Sequence, residues 1–414
     1  MKHKIQFILL LALAVPFIVR SQYSSVPVSD LDTLYQTLIR NHPKLIGGKA
    51  REQFDSSYKS IRSNYSALTR NQRIFGMTKL VASMHDGHSD MAIRYDTAYH
   101  FHELPIKLYV FEDGIFIIKA AEPYGKYAGM KVLKIGSLPI DSIEKRILPL
   151  IHGENGSAAK DILPSRLIIM ELLQYVGAIS STEVVPFLVE DSQKKKHTVL
   201  LKPATSTGNP DWVSARNTKN PPPLYLKNPD TKYWFTYIDS LQLFYFQFNV
   251  VQDMEDIPFD KFIEKMFKEI DSLPVRKMVI DIRRNNGGDN TLNKPLIHAL
   301  IRCDKVNQKG KLFVIIGRNT FSAAVNLTAN LESETNAIFV GEPTAAGPNH
   351  YGETTVLHLP ASKLLVLYSS QYWQGSSPKD KRTSIEPSIP INIISSEFRN
   401  NQDPCLKAII KYIN

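Results

Sequence analysis

Apolar residues recur at helical spacing in the first hundred positions of the chain. Leu31, Leu34 and Leu38 follow one another at intervals of three and four residues behind Ser29, a residue type that caps helices. Two further stripes with the same spacing occupy residues 54–65 and 74–84. This pattern predicts a small helical module in residues 22–95.

After residue 100 the apolar residues occur in short runs that are bounded by turn residues. Several runs between residues 104 and 201 have the length of strands, and helical patterns near 141–150 and 167–175 interrupt them. We therefore expect a β-rich domain in residues 100–203. The prolines of residues 204–231 predict a linker behind it.

The pattern changes again at about residue 232. Largely apolar runs alternate from there with helical patterns: strands at 243–248, 277–281, 312–316 and 337–340, helices at 259–273, 291–302 and 322–332. Strands that alternate with helices in this way form a mostly parallel sheet that is buried on both faces. Residues 232–414 therefore predict an α/β domain.

The composition of the 414-residue chain is that of a globular protein, with 43 % hydrophobic and 22 % charged residues. Its formal net charge of +10 comes from scattered basic residues, apart from a lysine run at 194–196. Because they form no basic stripe, we expect no nucleic-acid partner. The two cysteines, Cys303 and Cys405, lack metal-ligand spacing to a histidine, so we expect no metal and no cofactor.

The first residues have the composition of a signal peptide. Lys2 and Lys4 precede an apolar run at residues 7–19, which is short for a bilayer span, and Ser21 is a small residue at a plausible cleavage site. We expect residues 1–21 to be removed and the protein to be exported to the periplasm or the extracellular space. An uncleaved N-terminal anchor is the alternative. No later run is long and apolar enough to predict a membrane span in the mature chain.

A serine behind one of the apolar strands is the first candidate for chemistry. Ser322 follows the strand that ends at residue 316 and begins a predicted helix, so it lies at the carboxyl edge of the sheet. Free backbone N–H groups at a helix N-terminus favour negative charge, and the Ala323 N–H is placed to donate to an oxyanion. Serine is also a common helix cap, and the local sequence leaves both interpretations open.

Two adjacent glycines occupy the strand-to-helix turn that follows Asp281. Gly287 and Gly288 tolerate positive φ, so an N–H of this turn can point outward and complete an oxyanion hole with Ala323. An ordinary turn between a strand and a helix is the alternative.

A histidine behind the third helical stripe is the candidate base. His88 stands on a Gly turn, and histidine is the commonest general base, provided that the fold brings it to Ser322. A surface-loop histidine is the alternative. The neighbouring His85 is a weaker candidate because we place it inside the end of the helix.

Together these stretches resemble the family of serine peptidases that includes the C-terminal processing peptidases and tricorn protease. The resemblance is carried by Asp281-Ile-Arg-Arg-Asn-Asn-Gly-Gly, Asn319-Thr-Phe-Ser-Ala-Ala, Gly341-Glu-Pro-Thr and, upstream, Asp86-Gly-His-Ser. It implies an α/β fold with a crotonase-like (ClpP/crotonase-type) catalytic core in residues 232–414. It also implies a PDZ-like domain in residues 100–203, although the carboxylate-binding loop of such domains is not evident.

The resemblance further implies roles for single residues. Ser322 is the implied nucleophile, and the amides of Ala323 and of Gly287 or Gly288 are the implied oxyanion hole. The processing peptidases use a lysine base behind the Gly-Glu-Pro-Thr-like strand, and residues 344–349 contain no lysine here.

Tricorn-like members use a histidine from the N-terminal side instead of the lysine. His88 fits that position, and the resemblance therefore implies that it is the general base. Glu386, or Asp380 just before it, is the implied acid that orients the histidine.

The sequence thus predicts an exported serine peptidase that cleaves peptides or unfolded proteins through an acyl-enzyme on Ser322. The resemblance extends to proteins that keep this core to hold apolar ligands, so a non-catalytic binder of apolar ligands or peptides is the alternative. A scaffold that uses its PDZ-like domain for partners is a third hypothesis. The intact set of serine, base and oxyanion donors favours the enzyme.

Overall fold

Three helices open the described part of the chain, which in this computed structural model comprises residues 29–93, 101–204 and 210–413. They are α1 (Asp30–Asn41), α2 (Gly48–Asn64) and α3 (Arg70–Ala82), and a short strand, β1 (Asp90–Met91), follows them. The Ser29 side chain accepts a hydrogen bond from the Asp32 N–H and so caps α1. The three predicted helices are confirmed, and the signal peptide predicted at residues 1–21 lies outside the described residues.

A β-rich region follows. Its elements are β2 (Ile106–Phe111), β3 (Gly114–Ala121), β4 (Lys131–Ile135), β5 (Leu138–Pro139), α4 (Ile140–Ile147), α5 (Gly156–Arg166), α6 (Met170–Tyr175), β6 (Val185–Glu190), β7 (Lys196–Leu201) and β8 (Trp212–Ser214). The sheet has the order β2-β3-β4-β6-β7, and β8 pairs with β3. Helix α5 was not predicted because its apolar residues form no continuous stripe and Pro164 lies inside it. Strand β8 lies within the expected linker, residues 204–231, and belongs to this sheet because it pairs with β3.

The last region alternates strands and helices. Its elements are β9 (Tyr233–Ile238), β10 (Leu243–Phe248), α7 (Phe259–Ser272), β11 (Lys277–Asp281), α8 (Lys294–Ile301), β12 (Leu312–Ile316), α9 (Ala323–Glu334), β13 (Ile338–Gly341), β14 (Asn349–His358), β15 (Leu365–Gln374), β16 (Ile389–Pro390), α10 (Ser395–Arg399) and α11 (Pro404–Lys411). The main sheet has the order β16-β13-β12-β11-β10-β9. All neighbouring pairs from β10 to β16 are parallel, and β9 is antiparallel to β10. The predicted mostly parallel sheet is confirmed.

Both faces of this sheet are covered, as the apolar strands require. Alternate residues such as Phe246 and Val314 pack with α7, α8 and α9 on one face. Their neighbours, such as Tyr245 and Phe313, pack with α11 on the other face. The carboxyl ends of β11, β12 and β13 therefore meet at one edge of the sheet, between α9 on one side and α11 on the other.

The N-terminal helices are tied to the rest of the molecule by pairing and by packing. Strand β1 pairs with β15, with Asp90 opposite Leu367, in a sheet of order β1-β15-β14. Leu31 and Phe75 belong to the same apolar cluster as the β-rich region and Val366 of β15. This arrangement carries the segment behind α3 towards the main sheet. No helix of the described residues is both long and apolar enough to span a membrane.

Candidate active site

The turn between β12 and α9 holds Ser322 in an unusual backbone conformation. Ser322 has φ 53° and ψ −126°, a left-handed region that costs a non-glycine residue about 1–3 kcal/mol. The Thr320 hydroxyl braces the turn because it accepts the Gly317 N–H and donates to the Ile282 carbonyl. The Ser322 side chain makes no capping hydrogen bond to α9. The hydroxyl is therefore not used as a helix cap, the alternative that the local sequence left open.

The two glycines after β11 approach this serine closely. Both have positive φ, 101° at Gly287 and 138° at Gly288. A Cβ on Gly287 would lie 2.7 Å from the Ser322 Cβ and 2.8 Å from the Ala323 nitrogen, closer than side chains pack. Only a glycine fits there without displacing the serine turn.

The structure distinguishes the backbone donors of the two glycines. The Gly287 N–H donates to the Asn285 Oδ1 at 2.8 Å, and Asn285 is anchored in turn by the Phe248 carbonyl. Among the hydrogen bonds of the described residues, the N–H groups of Gly288 and Ala323 have no partner. Ala323 is the first residue of α9, where such groups are left free by the helix geometry. One unpartnered donor thus directly follows Ser322 in the chain, and the other belongs to the residue after Gly287, which contacts Ser322.

His88 contacts the residue that precedes Ser322. Its ring stacks on Phe321, with the ring centroids 4.2 Å apart, and it lies parallel to the His350 ring at 5.9 Å. Gly87 lies against the same Phe321 ring and leaves no room for a Cβ. The described hydrogen bonds do not include one between the Ser322 hydroxyl and the His88 ring, a contact that often tightens only with substrate.

The His88 ring is half-buried, and its protonation reflects this environment. Burial lowers the pKa of His88 to about 4, nearby His350 adds to this, and the Asp86 carboxylate and the backbone of Tyr351 oppose the shift. The imidazole is therefore neutral at pH 7 and able to accept a proton. Its Nδ1 is buried without a hydrogen-bond partner among the described residues.

A buried carboxylate holds the His88 segment. Asp86 accepts the His88 backbone N–H at 3.0 Å, His42 Nε2–H at 2.9 Å and the Ser369 hydroxyl at 2.7 Å, and it also accepts the Ser89 hydroxyl. Burial opposes ionisation, yet these hydrogen bonds hold the pKa of Asp86 well below its usual range. Asp86 thus joins the turn before β1 to α1's C-terminal end and to β15.

His42 was not identified from the sequence. Its Nδ1 accepts the Lys44 N–H, which leaves Nε2 to carry the proton that it donates to Asp86. Both side chains of this pair are fully buried. A single histidine before a proline has no distinguishing local signal, so its role follows from a contact across 44 residues.

The acids that the resemblance implied lie in other surroundings. Glu386 is exposed, and its carboxylate accepts the Ser384 hydroxyl at 2.6 Å. Asp380 forms an ion pair with Arg382, 2.8 Å apart. Within the described residues, neither carboxylate is hydrogen-bonded to His88, so the acid assignment from the resemblance stays a prediction.

The structure also shows where His85 and the two cysteines lie. His85 is exposed and lies outside the helix, since α3 ends at Ala82; the expectation that it is inside a helix end was wrong. Cys303 and Cys405 are buried and free, so they form no disulfide with each other. Within residues 29–93, 101–204 and 210–413, no cluster of three or more histidine, cysteine or acidic side chains is arranged to hold a metal ion.

Comparison with known proteins assigns part of the chain to a family. Residues 247–391, which include both glycines and Ser322, match the model of peptidase family S41. In sequence, the chain matches no curated protein. Its fold is similar to that of mature CPAF, with 12 % identity, a TM-score of 0.63 and coverage of 92 % of this chain and 96 % of that one.

A second solved structure, mature CPAF complexed with lactacystin, gives a similar result. It is 11 % identical, with a TM-score of 0.64 and coverage of 92 % of this chain and 97 % of that one. At such low identity the likeness shows a common fold and nothing about substrates. The sequence match of residues 247–391 is what identifies the family: the chain contains a peptidase family S41 segment, and the resemblance predicted from its sequence is confirmed.

Proposed function

We propose that this chain is a serine peptidase with Ser322 as its nucleophile and His88 as its general base. The observation that carries the proposal is the turn between β12 and α9. There Ser322 is held at positive φ and makes no capping hydrogen bond; it precedes the unpartnered N–H of Ala323 and contacts Gly287, whose neighbour Gly288 has the second unpartnered N–H. A strained serine next to two free backbone donors is the arrangement that acyl transfer requires.

The proposed reaction has two halves. The Ser322 Oγ attacks the scissile carbonyl carbon while the neutral His88 ring accepts its proton, and the carbonyl electrons move to the oxygen. The N–H groups of Gly288 and Ala323 stabilise this oxyanion, each by about 3 kcal/mol. His88 then gives the proton to the leaving amine as the C–N bond breaks, and a water molecule, deprotonated by His88, hydrolyses the acyl-enzyme.

For the acid that supports the base, we propose Asp86 ahead of Glu386. Asp86 accepts the backbone N–H of His88 and is buried, whereas Glu386 is exposed and bonded to Ser384. Asp86 touches the main chain of His88 and not its ring, so its proposed part is to position the histidine. Glu386 remains the candidate that the family resemblance implies.

The assignments of a crotonase-like core and a PDZ-like domain are also proposals. The parallel sheet with helices on both faces supports a crotonase-like core in residues 232–414. The sheet of residues 106–201 supports a PDZ-like domain, and a cavity of about 670 Å³ between β2 and α5 gives it a groove. Peptides or unfolded proteins are the substrates that a peptidase of this family implies.

The decisive experiment is hydrolysis of denatured casein by the wild-type chain and by Ser322→Ala, His88→Ala and His85→Ala. We expect the first two variants to lose roughly 10⁴-fold or more in rate and to stay folded. His85→Ala is the matched control, because this exposed histidine is three residues from His88, and it should cleave normally. Normal cleavage by His88→Ala would refute the base assignment.

A chemical label separates the enzyme from the alternative, a non-catalytic binder of apolar ligands or peptides. A fluorophosphonate should label the wild-type chain at Ser322 and leave Ser322→Ala unlabelled. A folded wild-type chain that is neither labelled nor active on broad peptide libraries would make binding the leading account.

Export is the last part of the proposal, and it is supported by the charged and apolar composition of residues 1–21. N-terminal sequencing of the protein recovered outside the cytoplasm should begin at Gln22. Recovery in the membrane fraction with Lys2 still present would instead support an uncleaved anchor.

A further inference from the structure

A cavity of about 220 Å³ lies behind the serine turn, on the face of the main sheet that α11 covers. Gly317, Arg318 and Asn319 of the turn line it, together with Pro404 and Cys405 of α11. Ser322 directly precedes α9, which packs on the opposite face of the sheet. The cavity is therefore separate from the proposed catalytic centre, although both share one short turn.

Four arginines line this cavity, and two of them are neutralised by carboxylates of the chain. Arg283 pairs with Asp281 at 2.7 Å and with Asp403 at 2.9 Å. Arg318 binds the Glu342 carboxylate through its Nε at 2.8 Å. These bidentate pairs are built into the fold, and they leave little capacity for a ligand.

The other two arginines have no carboxylate partner. Arg216 donates to the Phe398 carbonyl, to Asn401 Oδ1 and to the Tyr225 hydroxyl, and Arg284 donates to the Tyr225 carbonyl. Within the described residues, no carboxylate lies at ion-pair distance from either guanidinium. Since a guanidinium carries five N–H donors, these hydrogen bonds leave two donors of Arg216 and four of Arg284 without an acceptor in the described part of the chain.

Aromatic and aliphatic side chains form the rest of the wall. The Arg216 guanidinium lies 3.8 Å from the centroid of the Phe398 ring, and Tyr225 packs under Arg283 at 4.4 Å. Ile391 and Ile393 line the same cavity. The volume is below the range of drug-sized sites, about 300–1,000 Å³, so the cavity suits a ligand no larger than an amino acid.

We propose that this cavity, which we call the arginine cavity after Arg216, Arg283, Arg284 and Arg318, binds a small organic carboxylate with an apolar or aromatic body. The carboxylate is held by Arg216 and Arg284, which lack an internal counter-charge, and the body packs against Phe398 and the two isoleucines. Planar guanidinium groups bind carboxylates with two parallel hydrogen bonds, which is why a carboxylate suits a cavity that two such arginines line. This inference goes beyond the proposed peptidase function and does not depend on it.

The test uses 3-phenylpropionate as the probe and 3-phenylpropanamide, its neutral isostere, as the control ligand. Calorimetric titration of the full mature chain should show saturable binding of the acid and at least tenfold weaker binding of the amide. Raising the NaCl concentration should weaken the acid's binding, since salt screens the attraction. Equal binding of the acid and the amide would overturn the proposal. So would the absence of detectable binding when the acid is titrated to about 10 mM, after subtraction of a titration without protein.

Variants assign the binding to this cavity. Arg284→Gln and Arg216→Gln should each lower the affinity for 3-phenylpropionate about tenfold or more, as expected for a lost charge-assisted hydrogen bond. Arg302→Gln is the matched control, because Arg302 is an exposed arginine just after α8 and should leave the affinity unchanged. Two independent variants keep the test valid if one fails to fold. Wild-type affinity in both, or an equal loss in Arg302→Gln, would refute the site.

Discussion

The two halves of the proposed catalytic site are built in different ways. The half that holds Ser322, Gly288 and Ala323 comes from two turns at one edge of the parallel sheet. Close backbone packing at Gly287, together with the Thr320 and Asn285 side chains, sets its shape. The half that holds His88 comes from the N-terminal helices, and buried hydrogen bonds to Asp86 fix it in place. The serine half therefore requires that Gly287 carry no side chain. The histidine half requires that the polar groups around Asp86 stay hydrogen-bonded.

The largest expected effect is steric and falls on the serine half. Gly287→Ala places a Cβ against Ser322 and Ala323 at a positive φ, so the serine turn must shift. We expect casein hydrolysis to fall about a hundredfold to a thousandfold, the effect of a displaced oxyanion donor. Gly156→Ala is the matched control, because a Cβ there meets open space, and it should retain wild-type activity. Full activity in Gly287→Ala would refute the close approach.

The next largest effect is expected in the half of the site that holds His88. Asp86→Asn removes a buried carboxylate that accepts several hydrogen bonds, so we expect a loss of about 3 kcal/mol in the free energy of unfolding. We also expect hydrolysis to fall at least about tenfold, because His88 loses its anchor. Urea unfolding and casein hydrolysis measure the two effects.

Glu386→Gln is the comparison for Asp86→Asn, since it also removes one carboxylate charge. Glu386 is exposed, and we expect less than about 0.5 kcal/mol change in stability and near-normal hydrolysis. A loss of hydrolysis in Glu386→Gln without a loss of stability would instead establish it as the acid of the site.

The third prediction concerns the pH dependence that follows from the protonation of the His88 ring. Because burial lowers the pKa of His88 to about 4, kcat/KM should be flat from pH 6 to 8 and fall about tenfold per pH unit below pH 4. The unfolded chain protonates His88 near pH 6.5 and the folded chain does not, so this histidine costs stability as the pH falls from about 6.5 to 4. His88→Gln should reduce that pH dependence of unfolding. An acid limb centred near pH 6.5 would contradict the buried environment.

The smallest effect is expected from the loss of a single hydrogen bond to Asp86. Ser369→Ala removes the hydroxyl that donates to Asp86 at 2.7 Å, and we expect a loss of about 1–2 kcal/mol in the free energy of unfolding. Ser370→Ala is the control, since this exposed neighbour donates to the Glu353 carbonyl at the surface. Equal unfolding curves for the two variants would show that the loss of the Ser369 hydroxyl does not destabilise the protein.

Local sequence patterns were enough to predict most of the elements and to select the candidate nucleophile. Apolar runs at residues 243–248, 277–281 and 312–316 predicted strands with the bounds that the structure has, because a strand buried on both faces must be apolar along its whole length. The end of such a strand marks the sheet edge, which is how Ser322 was found. Helix α5 was not predicted because its apolar residues do not repeat regularly.

The spatial relations among the residues of the site could be read from the folded structure and not from the sequence. The choice of Gly288 over Gly287 as a free donor depends on the Asn285 side chain, and the part played by His42 depends on a contact with Asp86. The arginine cavity depends on Arg216 and Arg284 meeting at Tyr225 from positions 68 residues apart. Local patterns report the burial of each segment, but hydrogen bonds and charge pairing between distant segments are fixed only when the chain folds.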